Sequence, residues 1–314
     1  MIESTYLQMI AESLELSPTQ VAQAIELISG GAAIPFIARY RKDVTGNLNE
    51  AQLEMISEKN NYYIALTDRR RFVLNALIEQ GLLTEDLRTQ IDSCMDKITL
   101  EDLYLPYRTK KGRSKASIAE EKGLAPLADF FVGQLPCTTD IREFASSFAK
   151  PEKAVLSPEE AIDGACDILA ERISTDRRAR SLVRDRMLKE GNITAHATKN
   201  AEGKKTKYAN YYDFSESANT IPSHRFLAVL RGVREGFLRM ELQIDDARTV
   251  DDVLNLYLKE QGSLFEVYLR KSVEDAYHHL LKPAIENEVV NLVRARADED
   301  AVRVFRENAH NMLL

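Results

Sequence analysis

The sequence predicts a mainly α protein, a multi-helix array with a helix-turn-helix-like N-terminal element and a small β-containing insertion. Three observations carry this expectation. Only 13 Gly and 9 Pro interrupt 314 residues, so long segments run without a breaker. Within them, apolar residues recur at helical spacing. Between Asn192 and Ile244 that period gives way to alternation.

In the first segment Ile2, Tyr6, Met9, Ile10 and Leu14 fall on one helical stripe. Ser17-Pro18 then has the form of an N-cap followed by proline at the first helical position, where a missing N–H does no harm. Val21, Ala24, Ile25 and Ile28 make the stripe of that helix, and Gly30-Gly31 ends it. Pro35 opens a short third helix with Phe36, Ile37 and Tyr40. Helix, glycine turn, helix is compatible with a DNA-reading element, though many bundles that bind no DNA use the same connection. From Asn49 to Gln80 the pattern predicts one long helix, or two with a bend near Asn60-Asn61. Gly81 stops it and Thr84 caps the next.

Pro106, Gly112, Gly123, Pro126, Gly133 and Pro136 break the following stretch into short helices and turns. Ser157-Pro158-Glu159-Glu160 opens a long helix expected to reach Gly191, with Ile162, Ala165, Cys166, Leu169 and Ile173 on one face. The alternating ITAHA, the aromatic YANYYDF and the strand-like FLRMELQI define the β-containing insertion, with a helix from Ser223 carrying Phe226, Leu227, Val229 and Leu230. Helix resumes from Asp251, and Pro283 marks a new one with Val289, Leu292, Val293, Ala297, Ala301, Val304 and Phe305 on its apolar face. The expected organisation is therefore a helical domain over 1–190, a small α+β subdomain over 191–250 and a helical segment over 251–314. The apolar Asn-Met-Leu-Leu end is expected to lead into a further domain.

The formal net charge of −7 and pI near 5.5 exclude wholesale coating of a polyanion. Cys94, Cys137 and Cys166 lie far apart without ligand spacing, which fits a reducing compartment and neither a disulfide framework nor structural zinc. No signal-peptide pattern opens the chain, and no apolar run approaches the ~18 residues of a membrane span. A cytoplasmic protein with no membrane partner is expected.

No P-loop, GxSxG, HExxH or EF-hand pattern is present. His278-His279 are neighbours, but adjacent helical residues point about 100° apart and make poor joint ligands. We therefore expect no catalytic residues, no metal site, no cofactor and no enzyme activity.

Charge is concentrated in four places. Arg39-Tyr40-Arg41-Lys42 ends the third helix, where cations favour the macrodipole. Arg177, Arg178, Arg180, Arg184 and Arg186 share one helix with Asp176 and Asp185, a pattern that favours ion pairing along it. Lys199, Lys204, Lys205 and Lys207 precede Tyr208, Tyr211 and Tyr212. The most conspicuous is Arg108, Lys110, Lys111, Arg113 and Lys115, five cations with no acid between Tyr104 and Lys115. Arginine can engage phosphate bidentately, Tyr104 and Tyr107 offer stacking faces, and Gly112 lets the backbone bend toward a ligand. The same residues would also serve as a solvated loop balancing Glu120 and Glu121; both readings stand.

IPFIARYRKDVTGNLNE, LEDLYLPYRTKKGRSKASIAEEKGLAPLA, GACDILAERIS, IPSHRFLAVLRG and KPAIENEVV resemble, in that order, the N-terminal half of the Tex family of bacterial transcription accessory proteins. The resemblance spans essentially the whole chain. It implies a cytoplasmic nucleic-acid-binding protein related to a eukaryotic transcription elongation factor. It also implies that a ribonuclease H-like domain, helix-hairpin-helix elements and an RNA-binding OB barrel follow beyond Leu314, and it assigns no catalytic residue here. The expected function is thus an N-terminal scaffold making sequence-independent phosphate contacts to RNA or single-stranded DNA, with Arg108, Lys110, Lys111, Arg113 and Lys115 as the contact residues. The alternative is a docking module for the transcription machinery with no direct nucleic-acid binding.

Overall fold

A computed structural model describes residues 4–108, 112–134, 140–201 and 206–313. The packing divides the chain into two compact units, Met1–Arg108 and Thr109–Leu314, with the division inside the basic segment. Both units are built from helices, and the second carries one small sheet.

In the first unit, α1 (Ser4–Leu14), α2 (Pro18–Ser29), α3 (Ile34–Tyr40) and α4 (Lys42–Thr45) lead into the 30-residue α5 (Glu50–Glu79). Reciprocal capping starts two of them. Ser17 and Gln20 exchange hydrogen bonds at the head of α2, and Asn49 and Gln52 do so at the head of α5, satisfying amides that have no partner within the helix. α6 (Glu85–Asp92) and α7 (Lys97–Tyr104) follow, then a 3-10 turn over Leu105–Tyr107.

α5 is uninterrupted at Asn60-Asn61 and serves two cores. Its first half contributes Leu53 and Ile56 to a cluster with Ile10, Val21, Ala24 and Ile37. Its second half contributes Leu66, Val73 and Leu77 to a cluster with Leu87, Ile91 and Leu100. Arg70, buried between them, donates to Tyr6 Oη and to the Cys94 carbonyl, each at 2.6 Å. Arg69 forms a bidentate pair with Glu101 of α7 at 2.6 and 2.8 Å. These bonds tie a rather polar helix to its neighbours.

In the second unit α8 (Lys115–Glu121), α9 (Ala125–Gly133) and α10 (Ile141–Ser146) surround α11 (Pro158–Thr175). α11 buries Ala161, Ile162, Ala165, Cys166, Ile168, Leu169, Ala170 and Ile173, which fits its place at the centre. The expected single helix to Gly191 is instead two. Asp176 takes an extended conformation, its carboxylate accepts the Arg178 amide, and α12 (Arg177–Glu190) starts afresh from that cap. An aspartate in a helical run can compete for the backbone in this way.

β1 (Asn192–Ala197) is the central strand between β2 (Asp213–Ser217) and β3 (Leu238–Gln243), antiparallel to both, with Ala195 opposite Phe214 and Met240. α13 (Ser223–Arg234) lies between β2 and β3 in the chain and packs on β3. Ile193 and Leu242 belong to the same core as Leu169 and Val289, while Ala195, Leu238, Tyr208 and Val229 form a satellite cluster. α14 (Asp246–Asn255) and α15 (Glu266–Ala276) follow, then one π-helical turn, Tyr277–Leu281, and α16 (Lys282–Leu313). The π turn immediately precedes Pro283, whose ring would clash with the carbonyl four residues back in a regular α-helix. The expected new helix at Pro283 is therefore a change of register within a continuing one. Val289, Val293 and Ala297 are buried as expected, but Ala301, Val304 and Phe305 are exposed.

Gly164 sets how closely α8 and α11 approach. A Cβ there would stand well inside contact distance of Leu124 Cδ1 and 3.3 Å from Ala119 Cβ. Gly164→Val should therefore lower the stability of the second unit by about 1–3 kcal/mol, the usual cost of overpacking. Urea unfolding checks this; unchanged unfolding would show that α8 and α11 can move apart freely.

Candidate functional site

Four of the five arginines singled out in α12 are committed to structure, while Arg177 is exposed at its start. Arg180 and Arg184, 6% and 7% exposed, both reach Glu288 of α16. Arg184 donates from Nη2 at 2.8 Å and from Nε at 3.1 Å, and Arg180 pairs with the other carboxylate oxygen. Arg186 pairs with Asp252 of α14 and donates to Thr249 at 3.3 Å. Arg178 pairs with Asp176 at 2.9 Å and lies over the Tyr257 ring, whose hydroxyl donates to Asp176 at 2.7 Å. Burial pushes the Asp176 carboxyl up, but the hydrogen bonds from Arg178 and Tyr257 outweigh it and hold the group below its ordinary range. The sequence pattern favours pairing along the helix, which holds for Arg178 with Asp176 and for Arg186 with Glu190 at 3.9 Å, while Arg180, Arg184 and Arg186 also find partners on α14 and α16.

The fourth basic group is partly structural too. Lys207 pairs with Glu235 at 3.0 Å, Tyr208 is buried, Tyr211 packs edge-on against Phe214, and the Tyr212 hydroxyl bonds Thr206 at 2.7 Å. Lys204 and Lys205 lie outside the described residues.

Of the five residues singled out in the basic segment, Lys110 and Lys111 likewise lie outside the described residues. Arg108 ends the first unit, exposed just after the 3-10 turn. Arg113 and Lys115 belong to the second unit. Arg113 is exposed and pairs with Glu121, so the charge-balancing reading holds for this residue. Lys115 is exposed at the first position of α8, behind the Ser114 cap. Burial pushes the Asp167 carboxyl above its usual range, and the nearby Lys115 charge opposes that rise. Tyr104 is buried and so presents no open ring, while Tyr107 is half-buried against the Leu66–Leu103 core.

Arg39, Arg41 and Lys42 also face solvent. Among the described residues, Arg39, Arg41, Lys42, Arg108 and Lys115 form no ion pair with another described residue. Here the sequence signal was incomplete, because the helix-dipole explanation of Arg39–Lys42 ignored Phe36 beside them. Phe36 and Tyr40 sit four residues apart while Ile37 and Ala38 turn inward. That spacing could have shown an aromatic pair on the outer face.

Among the described residues no group of three or more His, Cys, Asp or Glu side chains is placed to hold a metal ion. No helix of the described residues is long and apolar enough to cross a membrane.

The fold is that of a mainly helical scaffold with a small sheet and scattered unpaired cations on its exterior. Residues 4–78 match the Tex-like protein N-terminal domain and residues 137–305 match the Tex central region-like family. The transcriptional accessory protein Tex of Neisseria gonorrhoeae is 36% identical over 312 residues, covering 98% of this chain and 41% of that protein. A Bordetella pertussis protein named tex is 34% identical over 321 residues, 97% of this chain and 40% of its own length. The human S1 RNA-binding domain-containing protein 1 is 24% identical over 325 residues, 98% of this chain and 32% of its own. The chain thus spans about two fifths of the length of its bacterial relatives. It belongs to the Tex family.

Two outcomes follow from the paired charges. Glu288→Ala leaves two almost buried guanidiniums without their shared carboxylate and should cost about 2–3 kcal/mol, read by urea unfolding, at the low end for a broken buried pair because Glu288 is partly exposed. For Asp176 the depressed folded pKa means that its stabilisation is full above the ordinary carboxylate pKa of about 3.9 and is lost as pH falls through the lower folded value. The stability gap between the parent and Asp176→Asn should accordingly be constant from pH 7 to 5 and close on further acidification.

Proposed function

We propose that this chain is the binding, non-catalytic scaffold of a transcription accessory protein, making sequence-independent contacts to the phosphates of RNA or single-stranded DNA. The observation that carries this reading is how the charges are sorted. In a chain of net charge −7, the buried and half-buried arginines of α5 and α12 are consumed by internal partners. The cations at Arg39–Lys42, Arg108 and Lys115 instead face solvent and close no ion pair with a described carboxylate, although Asp167 lies near enough to Lys115 to feel its charge. Leaving a cation unpaired on an acidic protein keeps it available to an external anion.

Membership in the Tex family supports the transcription role, and the human relative, an S1 RNA-binding domain-containing protein, supports RNA as the polyanion. Arg108, Lys110, Lys111, Arg113 and Lys115 remain the proposed contacts of the basic segment. Arg113 would exchange Glu121 for phosphate at modest cost, since an exposed pair contributes only about 0–1 kcal/mol.

Fluorescence anisotropy with a labelled oligonucleotide over a salt series tests the proposal. Arg108→Glu, Arg113→Glu and Lys115→Glu together should weaken binding and reduce the slope of log K against log salt by about 2, near 0.7 per contact on a single strand. Lys271→Ala, which removes a cation already paired with Asp163 at 2.6 Å, should change neither. Affinity and slope unaffected by the triple reversal would remove the basic segment from the interface.

A further inference from the structure

We propose that Phe36 and Tyr40, with Arg39, Arg41 and Lys42, form a stacking platform for single-stranded nucleic acid on the first unit. This deepens the nucleic-acid reading above and rests on it. The residues concerned are separate from the basic segment.

The geometry starts with α3. Its seven residues bury only Ile37 and Ala38, which join the core of Ile10, Val21 and Leu53. At 100° per residue, Phe36, Tyr40 and Arg39 share the opposite arc. Phe36 is 45% exposed and Tyr40 69%. Their ring centroids are 5.3 Å apart and the planes are tilted by 39°, so the two rings touch without covering each other. The Arg41 guanidinium lies 6.0 Å from the Phe36 centroid, at the outer limit of a cation–π contact. Between Ala33 and Asn49 the only acid is Asp43.

The platform is held on a firm base. Thr45, fully buried, donates to the Arg41 carbonyl at 3.2 Å. Gly46 adopts φ +64°, a left-handed turn suited to glycine, and its carbonyl accepts from Gln20 Nε2 of α2 at 3.0 Å. Leu48 then enters the core. The exposed side chains are thus presented by a turn anchored on both sides, which limits the ordering cost of binding.

Chemistry decides the occupant. An apolar protein partner would have to desolvate three cations with one acid nearby to offset them. A duplex would meet the cations but offer its bases to neither ring. An unpaired strand satisfies both features at once, since its phosphates take Arg39, Arg41 and Lys42 while its bases stack on Phe36 and Tyr40.

The test compares labelled oligo(dT), oligo(U) and a duplex of equal length on the chain and on Phe36→Leu/Tyr40→Leu. Both positions are exposed, so the melting temperature should not move. The parent should prefer the single strands, and the double variant should bind them about tenfold or more weaker while duplex affinity stays put. The two single strands separate RNA from DNA as the source of the polyanion. In the unaltered chain, 5-iodouracil in the oligonucleotide should photo-crosslink to the peptide containing Phe36 and Tyr40, a readout independent of how the variant folds. Salt-dependent binding that ignores the aromatic replacement, with crosslinks only elsewhere, overturns the platform and leaves the broader reading intact. No binding to any nucleic acid overturns both. Displacement of the oligonucleotide by polyglutamate at equal charge would assign the surface to an acidic protein and also reject the proposal.

Discussion

Glu288 is the carboxylate on which the second unit's internal order depends. Two arginines from α12 converge on it, and that junction fastens α16 to the helices built around α11. α16 in turn positions the insertion. Glu286 accepts the Leu242 amide of β3 at 2.9 Å, Arg296 donates to the Ala218 and Asn219 carbonyls, and Asp300 accepts from Ser223 at the head of α13. A two-residue change in the register of α16 would turn these groups away from the sheet together. Almost buried guanidiniums tolerate no such slip, because leaving one unpaired costs more than losing an ordinary surface pair. Hydrophobic burial supplies the bulk of the stability, while the ion cluster selects which arrangement of the helices survives.

The same pairing has a functional consequence. A basic helix such as α12 looks like a nucleic-acid contact when read as composition, yet Arg178, Arg180, Arg184 and Arg186 are turned into struts. What remains for an outside anion is set by subtraction, and it includes cations on short turns and helix ends that close no ion pair with a described carboxylate. Arg108 after its 3-10 turn, Lys115 at the head of α8 and Arg39–Lys42 at the junction of α3 and α4 are all of this kind. The division of labour follows from burial, which only the tertiary structure determines.

This also explains which features were legible in the sequence. Ser17, Asn49, Thr84 and Ser157 all cap the helices they were expected to start, because a cap is a local arrangement of three or four residues. The alternating segments of the insertion became β1 and β3 for the same reason. The break at Asp176 is not legible because helical spacing continues across it, and only the competing side-chain bond reveals it. Periodicity likewise identified Val304 and Phe305 as a continuation of a stripe without saying whether anything covers it. For the basic groups, the sequence could count charges but not find their partners: Arg180 and Glu288 are separated by 108 positions. Phe36, Ile37 and Tyr40 read alike as apolar residues of one short helix, and only the packing separates the buried Ile37 from the exposed rings.

An acidic protein that binds a polyanion faces a long-range penalty, and its size shapes the kind of contact that can work. At physiological ionic strength the field of a surface charge fades over roughly 8 Å. The overall charge therefore slows approach, while a phosphate already at the surface responds mainly to the few cations beside it. Such a contact gains little from steering and must rely on short-range terms, which is where aromatic stacking and bidentate arginines are effective. A handful of cations per surface also implies modest affinity with a shallow salt slope, in contrast to a protein coated in basic residues. Weak contacts of this kind are reversible, and they become effective when several act on one strand, since each bound site raises the effective concentration of the next.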